Sequence, residues 1–418
     1  MSILSILSRM AIAAVFYFFP DLFITSGVKR AFDKHRKQAS RIYWTFNLFI
    51  FFLAFAGMIT SRFVNEDMQR FNLYFLGLFV SFLFAKIFAG VIFLGEDIFR
   101  IPKSILTKKK RRAENPDAKK WLSRRKFLSQ TTLLLSAIPV AGFIYGMVKG
   151  RYNFTLHKQT LYFADLPAAF DGLTITQLSD LHIGSWDHTS KNELNAMLEM
   201  VKNLNSDLFL FTGDIVNSRA DEMDGWVETF DHIYAPLGKY SILGNHDYGD
   251  YASWNSDEAK AENLRQVKSI HPQLGFKLLL NENHAIEKDG EKIFLIGVEN
   301  WGKGGFQKYG DIKKASIGLN KNDFRILLSH DPSHWDAVVL KEEFPPQLTL
   351  SGHTHGFQMG IEVPGFHFSP AKWVYEEWAG LYEKNNFKIY VNRGLGTVGY
   401  PGRLGIWPEV TQFTLRKK

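Results

Sequence analysis

Apolar and polar positions follow two different rhythms along this chain. Up to about residue 150, long Phe-rich apolar runs are broken by basic clusters; beyond it, short apolar segments end in polar motifs set among Gly-rich loops. Four of the long runs, residues 3–24, 42–60, 71–94 and 127–148, have the roughly 20 residues a helix needs to cross the hydrocarbon. Arg9, Pro20 and Asp21 interrupt the first, so a buried core helix or an interfacial helix competes with a span there more than in the other three. The pattern therefore predicts a transmembrane region over 1–150 and a globular domain over 151–418.

Within the second region, apolar segments at 172–178, 208–211, 240–243, 324–328 and 348–350 read as core strands. They run into Ser179-Asp180-Leu181-His182, Thr212-Gly213-Asp214, Gly244-Asn245-His246-Asp247, Ser329-His330 and Ser351-Gly352-His353-Thr354-His355. Strand followed by ligand-bearing loop is how α/β folds gather side chains at the carboxyl ends of their strands. Five such ends would build one site. The residue types suit two divalent ions about 3.5–4 Å apart, which need a bridging carboxylate and His, Asn or Asp on each side. If the strand end stays extended, alternate residues point the same way, and Asp180 and His182 serve one ion. Gly213 lets the backbone come close while Asp214 reaches both.

Composition narrows the chemistry. The chain has no cysteine, which removes disulfides and thiolate metal sites and leaves His, Asp, Asn or Glu to hold hard or borderline divalent ions. Residues 1–150 carry 23 Lys and Arg against 8 Asp and Glu, leaving 27 against 34 for the rest. A nucleic-acid-binding domain would itself hold the basic excess, so no nucleic-acid partner is expected.

The basic excess also orients the spans. Lys29, Arg30, Lys34, Arg36, Lys37 and Arg41 fill the first loop, and Lys108 to Arg112 with Lys119, Lys120 and Arg124 to Lys126 fill the third, while residues 61–70 are nearly balanced. The positive-inside tendency makes both basic loops cytoplasmic and delivers the globular domain to the extracytoplasmic side of a bacterial inner membrane. Ser123-Arg124-Arg125-Lys126-Phe127-Leu128 resembles a twin-arginine export signal, although it is internal; an ordinary basic flank of a span is the alternative, with the same outcome for orientation.

Taken in order, Asp-x-His, Gly-Asp, Gly-Asn-His-Asp, His and Gly-His-x-His resemble the motifs of the calcineurin-like metallophosphoesterases over residues 171–418. The tail Asn392-Arg393-Gly394-Leu395-Gly396 with Pro401-Gly402-Arg403-Leu404 is similar to the membrane-linked bacterial branch that includes UDP-2,3-diacylglucosamine pyrophosphatase-like proteins. The resemblance implies an α/β sandwich of two mixed sheets flanked by helices. It implies Asp180, His182 and His355 on one ion, Asn245, His330 and His353 on the other, and Asp214 bridging. It also implies hydroxide attack in line on phosphorus, with His246 over the substrate phosphate and Asp247 a candidate to orient its ring. Manganese, iron, zinc or cobalt would all suit. Phe357 departs from the branch, which usually has a second glycine there.

Arg393 and Arg403 are candidates to grip a phosphate bidentately, or surface arginines in tight turns. Trp373, Tyr375, Trp378 and Tyr382 could grip substrate, meet the membrane interface or simply cap a sheet. Of the histidines outside the motifs, His334 stands out, four residues beyond His330. The expected activity is hydrolysis of a phosphodiester, pyrophosphate or phosphomonoester, with the bilayer and a membrane lipid or lipid-linked phosphate as partners. A general or protein phosphomonoesterase and a non-catalytic membrane scaffold are the competing readings.

Overall fold

In the computed structural model, which describes residues 3–60, 66–107, 116–230 and 233–418, the first apolar run is two helices rather than one span. α1 (Ile3–Phe18) and α2 (Asp21–Ala31) are bent by 40° across Pro20, which has no N–H to continue a helix. α3 (Arg36–Thr60), α4 (Glu66–Thr107), α5 (Pro116–Leu135) and α6 (Ala137–Val148) follow. Among the described residues, three stretches, Asp33–Gly57, Phe71–Phe99 and Arg124–Tyr152, are long and apolar enough to cross a membrane, and the bent pair makes up to four. Phe49, Val91, Leu134 and Ile138 point outward with more than half their surface uncovered, as befits a protein whose surroundings are lipid. Asp21, which breaks the apolar pattern, is buried in an ion pair of 2.7 Å with Lys86 of α4, and the Tyr43 hydroxyl donates to it as well. Two charges too costly to leave single in an apolar span neutralise each other. The basic positions 108–112, loop residues 61–65 and His232 lie outside the described residues.

The chain divides into two compact units, Met1–Val148 with Gly399–Gly402, and Lys149–Val398 with Arg403–Lys418. The second is a sandwich of two six-stranded mixed sheets with helices outside. In the first sheet β2 (Thr174–Leu178), β3 (Leu208–Phe211), β4 (Lys239–Ser241) and β5 (Lys277–Leu278) run parallel; β14 (Glu409–Lys417) joins β2 antiparallel and β1 (Thr155–Phe163) parallel. In the second, β7 (Glu291–Gly297), β8 (Arg325–Leu328), β9 (Leu348–Ser351) and β13 (Phe387–Val391) run parallel. β6 (Glu282–Lys288) and β12 (Gly380–Lys384) close its edges antiparallel. A separate hairpin pairs β10 (Ile361–Val363) with β11 (Phe366–Phe368).

The central strands are buried on both faces, and β3 is apolar at every position, while β2, β4 and β9 also bury Thr176, Gln177, Ser241, Thr349 and Ser351. Leu208 and Leu210 of β3 meet Ile326 and Leu328 of β8 between the sheets, while Phe209 and Phe211 face outward onto α7 (Lys191–Asn203) and α8 (Asp257–Gln273). Leu327 turns the other way, to a layer formed by α9 (Ile312–Ala315), α10 (Ser333–Ala337) and Val339. Every apolar segment read from the sequence as a core strand overlaps a strand, with ends displaced by at most two residues.

Two histidines are buried in this outer packing. His271 of α8 lies 2.8 Å from the Ser241 hydroxyl, and His334 of α10 lies 2.9 Å from the Ser329 hydroxyl. Burial pushes His271 down to about 3 and His334 down to about 4. Both titrate near pH 6.5 when unfolded, so on acidification the unfolded chain takes up protons the folded chain refuses. Stability is full above about pH 6.5 and falls toward pH 4 by roughly 1.4 kcal/mol per pH unit per histidine. Urea unfolding midpoints measured from pH 7.5 to 5 should decline accordingly, and His271→Gln should flatten the slope by one histidine's share; an unchanged slope would exclude this origin.

Candidate metal centre

Three strand ends from the first sheet (β2, β3, β4) and two from the second (β8, β9) open at the same edge of the sandwich. The loops there are tied together by main-chain bonds: Asp180 N–H to Gly213 O at 2.9 Å, His182 N–H to Asp214 O at 3.1 Å and Gly352 N–H to His330 O at 2.9 Å. The loop after β13 joins them, with Gly396 N–H donating to Asp180 O at 2.8 Å. Asp180, His182, Asp214, His353 and His355 all have φ between 44° and 74°, the left-handed region that non-glycine residues enter at a cost. Asp180 and His182 thus do not continue β2 as an extended strand end; the turn of the backbone aims both side chains inward. A Cβ on Gly213 would stand 2.5 Å from Gly244 N, and one on Gly352 would stand 2.2 Å from an Asp180 oxygen, so both positions need glycine for close approach.

The seven residues singled out by motif are brought together in two groups. Asp180, His182 and His355 form one: His355 Nε2 lies 3.3 Å from Asp180 Oδ1 and 3.1 Å from His182 Nε2. Asn245, His330 and His353 gather around the other, with Asn245 Oδ1 3.1 Å from His330 Nε2 and 2.8 Å from His353 Nδ1. Asp214 Oδ2 stands between, 3.4 Å from His182 Nε2 and 3.1 Å from His330 Nε2. Ligands about 2.1 Å from an ion stand roughly 3–3.4 Å from one another, so these separations are those of a coordination shell.

The tautomers fit a cation. His182 Nδ1 donates to Asn217 Oδ1 at 3.0 Å and His330 Nδ1 donates to Thr212 O at 2.7 Å, which turns each Nε2 lone pair inward. Asn245 donates from Nδ2 to the Tyr251 hydroxyl at 2.8 Å, which directs its Oδ1 the same way. Burial holds His182, His353 and His355 below the usual imidazole range and hence neutral. His330 is buried too, but the touching Asp214 carboxylate outweighs that and holds it up at about 10. Against burial, His330 and His246 hold Asp214 well below the carboxylate range. Acceptors crowded at this distance need a cation between them. The donor set, two carboxylates, an amide oxygen and four imidazoles without sulfur, fits divalent first-row metals.

His246 lies beside both groups. Its backbone N–H donates to Asp214 Oδ1 at 2.8 Å, its Nδ1 donates to Asn217 O at 2.7 Å, and its ring stacks on Tyr251 at 4.2 Å. One of its nitrogens also falls within ligand reach of His182 and Asp214. Asp247 does not orient that ring. It accepts from the backbone N–H groups of Asp214, Ile215, Val216 and Gly244 at 2.8–3.3 Å, stapling the loop after β3 to the loop after β4. Burial and the nearby Asp214 charge push its carboxyl up to about 7, against those four donors.

The two arginines are not free to bind a phosphate. The Arg393 guanidinium, 5% exposed, pairs with both Glu362 and Glu409. Arg403 is fully buried, donating to Gly396 O at 2.7 Å and standing 3.1 Å from His355 Nδ1. Gly-rich context marks a tight loop equally well when the arginine is an internal brace. His334 lies away from the centre, stacked on Trp301. The aromatic cluster splits: Trp378 is buried, Tyr375 places its hydroxyl 2.9 Å from His353 Nε2, and Trp373 is 76% exposed. Phe357 adopts φ 51°, where a glycine would sit without strain. Sequence reading missed Asn217, Tyr251 and Asp331, whose Oδ2 lies 3.4 Å from His353 Nε2, while Tyr375 was named only as one of an aromatic cluster. Only Asn217, three residues past Asp214, and Asp331, next to His330, had any positional signal.

Comparison with known proteins follows the same division of the chain. Residues 5–151 match the profile of a probable calcineurin-like phosphoesterase transmembrane domain, and residues 173–357 match the calcineurin-like phosphoesterase profile. An uncharacterized metallophosphoesterase of Bacillus subtilis, YkuE, is 31% identical over 71% of this chain and 99% of its own length. A transmembrane protein with metallophosphoesterase domain from Danio rerio is 27% identical over 69% of this chain and 63% of its own. UDP-2,3-diacylglucosamine pyrophosphatase LpxG of Chlamydia trachomatis is 27% identical over 59% of this chain and 82% of its own.

Because Arg393 neutralises two carboxylates, of which Glu409 is fully buried, its removal should act on stability. Arg393→Met should cost about 3–5 kcal/mol by leaving buried charge uncompensated. Denaturant unfolding checks the loss, and a raised KM with unchanged stability would restore the substrate-binding role.

Proposed function

This chain belongs to the calcineurin-like metallophosphoesterases, and from that premise we propose that it holds two divalent ions at Asp180, His182, Asp214, Asn245, His330, His353 and His355 and hydrolyses a phosphodiester or pyrophosphate of a lipid-linked substrate. It is a membrane protein and a metal-dependent phosphoester or pyrophosphate hydrolase. The observation that carries the dinuclear reading is Asp214 Oδ2, within 3.1–3.4 Å of a histidine nitrogen from each group.

Bound there, such ions supply Lewis acidity, lowering the pKa of a water and drawing charge from phosphoryl oxygens. The chain's own groups do the positioning. Asn217 and Thr212 hold His182 and His330 in the tautomer that offers Nε2 as a ligand. Asn217 O accepts a hydrogen bond from Nδ1–H of His246, so that Nε2, protonated in the imidazolium, is the nitrogen that would hand a proton to the departing oxygen and return to its neutral form. Tyr251, stacked on that ring, keeps it in place.

The lipid-linked substrate is supported by the apolar helices that keep the domain at a membrane, where lipid is concentrated and weak affinity suffices. The relative acting, by its name, on UDP-2,3-diacylglucosamine points the same way. The basic loops support an orientation with the domain on the side away from the cytoplasm.

Asp214→Asn, Asn245→Ala and His353→Ala should each lower hydrolysis by roughly 100-fold or more and reduce bound metal, as loss of a metal ligand does. His246→Ala should lower the rate by roughly 100-fold while metal content, read by elemental analysis, stays normal. Loss of both ions from that variant would make His246 a ligand instead.

Metal-loaded protein should turn over detergent-dispersed lipid phosphodiesters or pyrophosphates faster than soluble aryl phosphates and phosphopeptides. Equal or better activity on the soluble monoesters would favour a general phosphomonoesterase. Protease added outside intact inner membranes should digest residues 151–418; full protection would reverse the orientation.

A further inference from the structure

The hairpin that follows the His353-Thr354-His355 loop has its polarity inverted. In β10 and β11 the register pairs Ile361 with Phe368 and Val363 with Phe366, so these four side chains share one face of the ribbon. Ile361, Val363 and Phe366 are each more than half exposed, and Trp373, packed edge-on against Phe368 at 5.8 Å, extends the same surface with Val374. The opposite face carries Glu362, paired to Arg393, and His367, against Trp378 at 5.3 Å. A hairpin covering a protein core would turn its apolar face inward. Here that face is outward and uncovered among the described residues.

Three observations select a bilayer as what covers it. The last apolar span ends at Tyr152 and β1 begins at Thr155, so two intervening residues keep the start of the domain within about 10 Å of the end of that span. The exposed set combines tryptophan with Phe, Ile and Val, the pattern of a segment lodged at a lipid headgroup boundary. From 361 to 374 the charged residues are Glu362, already paired, and exposed Lys372 beside Trp373, so this segment carries no unpaired carboxylate to oppose anionic headgroups.

We propose that the apolar face of the β10–β11 hairpin, with Trp373, is a membrane-contact surface that dips into the bilayer boundary beside the metal centre. Its link to the chemistry is covalent and ionic. The hairpin begins six residues after His355, and Glu362 holds Arg393, whose loop continues to Gly396 and its bond to Asp180 O. Contact with lipid then sets the attitude of the ligand loops toward phosphate at the interface. The inference rests on the membrane-tethered reading but does not require the substrate to be a lipid.

The chain has no cysteine, so Val363→Cys in the full-length protein gives one site for an environment-sensitive fluorophore. In nanodiscs of phosphatidylethanolamine and phosphatidylglycerol, the label should emit to the blue, be quenched by doxyl-labelled lipid and resist iodide. The same label at Asp289→Cys, in the exposed β6–β7 turn, should behave oppositely. Iodide quenching at both positions alike overturns the proposal. Protection from iodide and lipid together also overturns it, in favour of a protein partner such as a second copy. The combined Ile361→Ser, Phe366→Ser and Trp373→Ser variant should lose about tenfold on a phosphodiester lipid in the same discs, as effective concentration falls, and nothing on bis(4-nitrophenyl) phosphate. Equal losses on both substrates count against it. If the unsubstituted protein cleaves no lipid, the substrate reading fails by itself and the quenching still decides the contact.

Discussion

Asp180 and Asp214 are carboxylates taken almost wholly out of water, with ring nitrogens of His182, His330 and His355 within 3.1–3.4 Å of them. An unpaired buried ion costs several kcal/mol even after relaxation, and crowded acceptors cannot satisfy one another. Positive charge has to sit between them, and the rest of the domain is arranged around that requirement. The sandwich supplies five strand ends at one edge, glycines let the loops close up, and five residues accept left-handed backbone so that their side chains converge. The strain is concentrated at the site and borne by a core of strands buried on both faces.

Around the seven gathered side chains lies a layer of groups that fix how they are aimed. Asn217 serves two histidines, through its side chain to His182 and its backbone carbonyl to His246. Asp247 staples two ligand loops by their amides, and Arg393 ties the loop after β13 to both β14 and the hairpin. Charges that look catalytic in a Gly-rich motif are in these cases internal braces. Their removal is a matter of folding energy before it is one of turnover.

The helical region answers a different solvent. Among the described residues, apolar side chains such as Phe49, Val91, Leu134 and Ile138 face outward, and Asp21 is paired with Lys86 and Glu96 with Arg30 and Arg125. The same inversion recurs in the second unit at the β10–β11 hairpin, where an apolar outer face reverses the usual arrangement of a soluble sheet.

By itself the sequence determined the kinds of element and the chemistry they could carry. Apolar runs of spanning length, short mostly apolar strands and polar motifs at their ends are local patterns, and they were legible because burial favours apolar residues along each run. The identity of the seven gathered side chains was legible for a similar reason, since five motifs in fixed order each name their donors. Tertiary structure decided what each charge faces. Arg393 and Arg403 sit in loops that read as phosphate-binding, and only the fold reveals Glu362, Glu409 and a carbonyl waiting for them. Asp247 adjoins His246 in sequence but points to backbone amides of another loop, and Tyr251 and Tyr375 reach the centre from segments with no motif at all. Partners of this kind lie from 6 to 33 residues apart, and a pairing made through space leaves no periodicity in the chain.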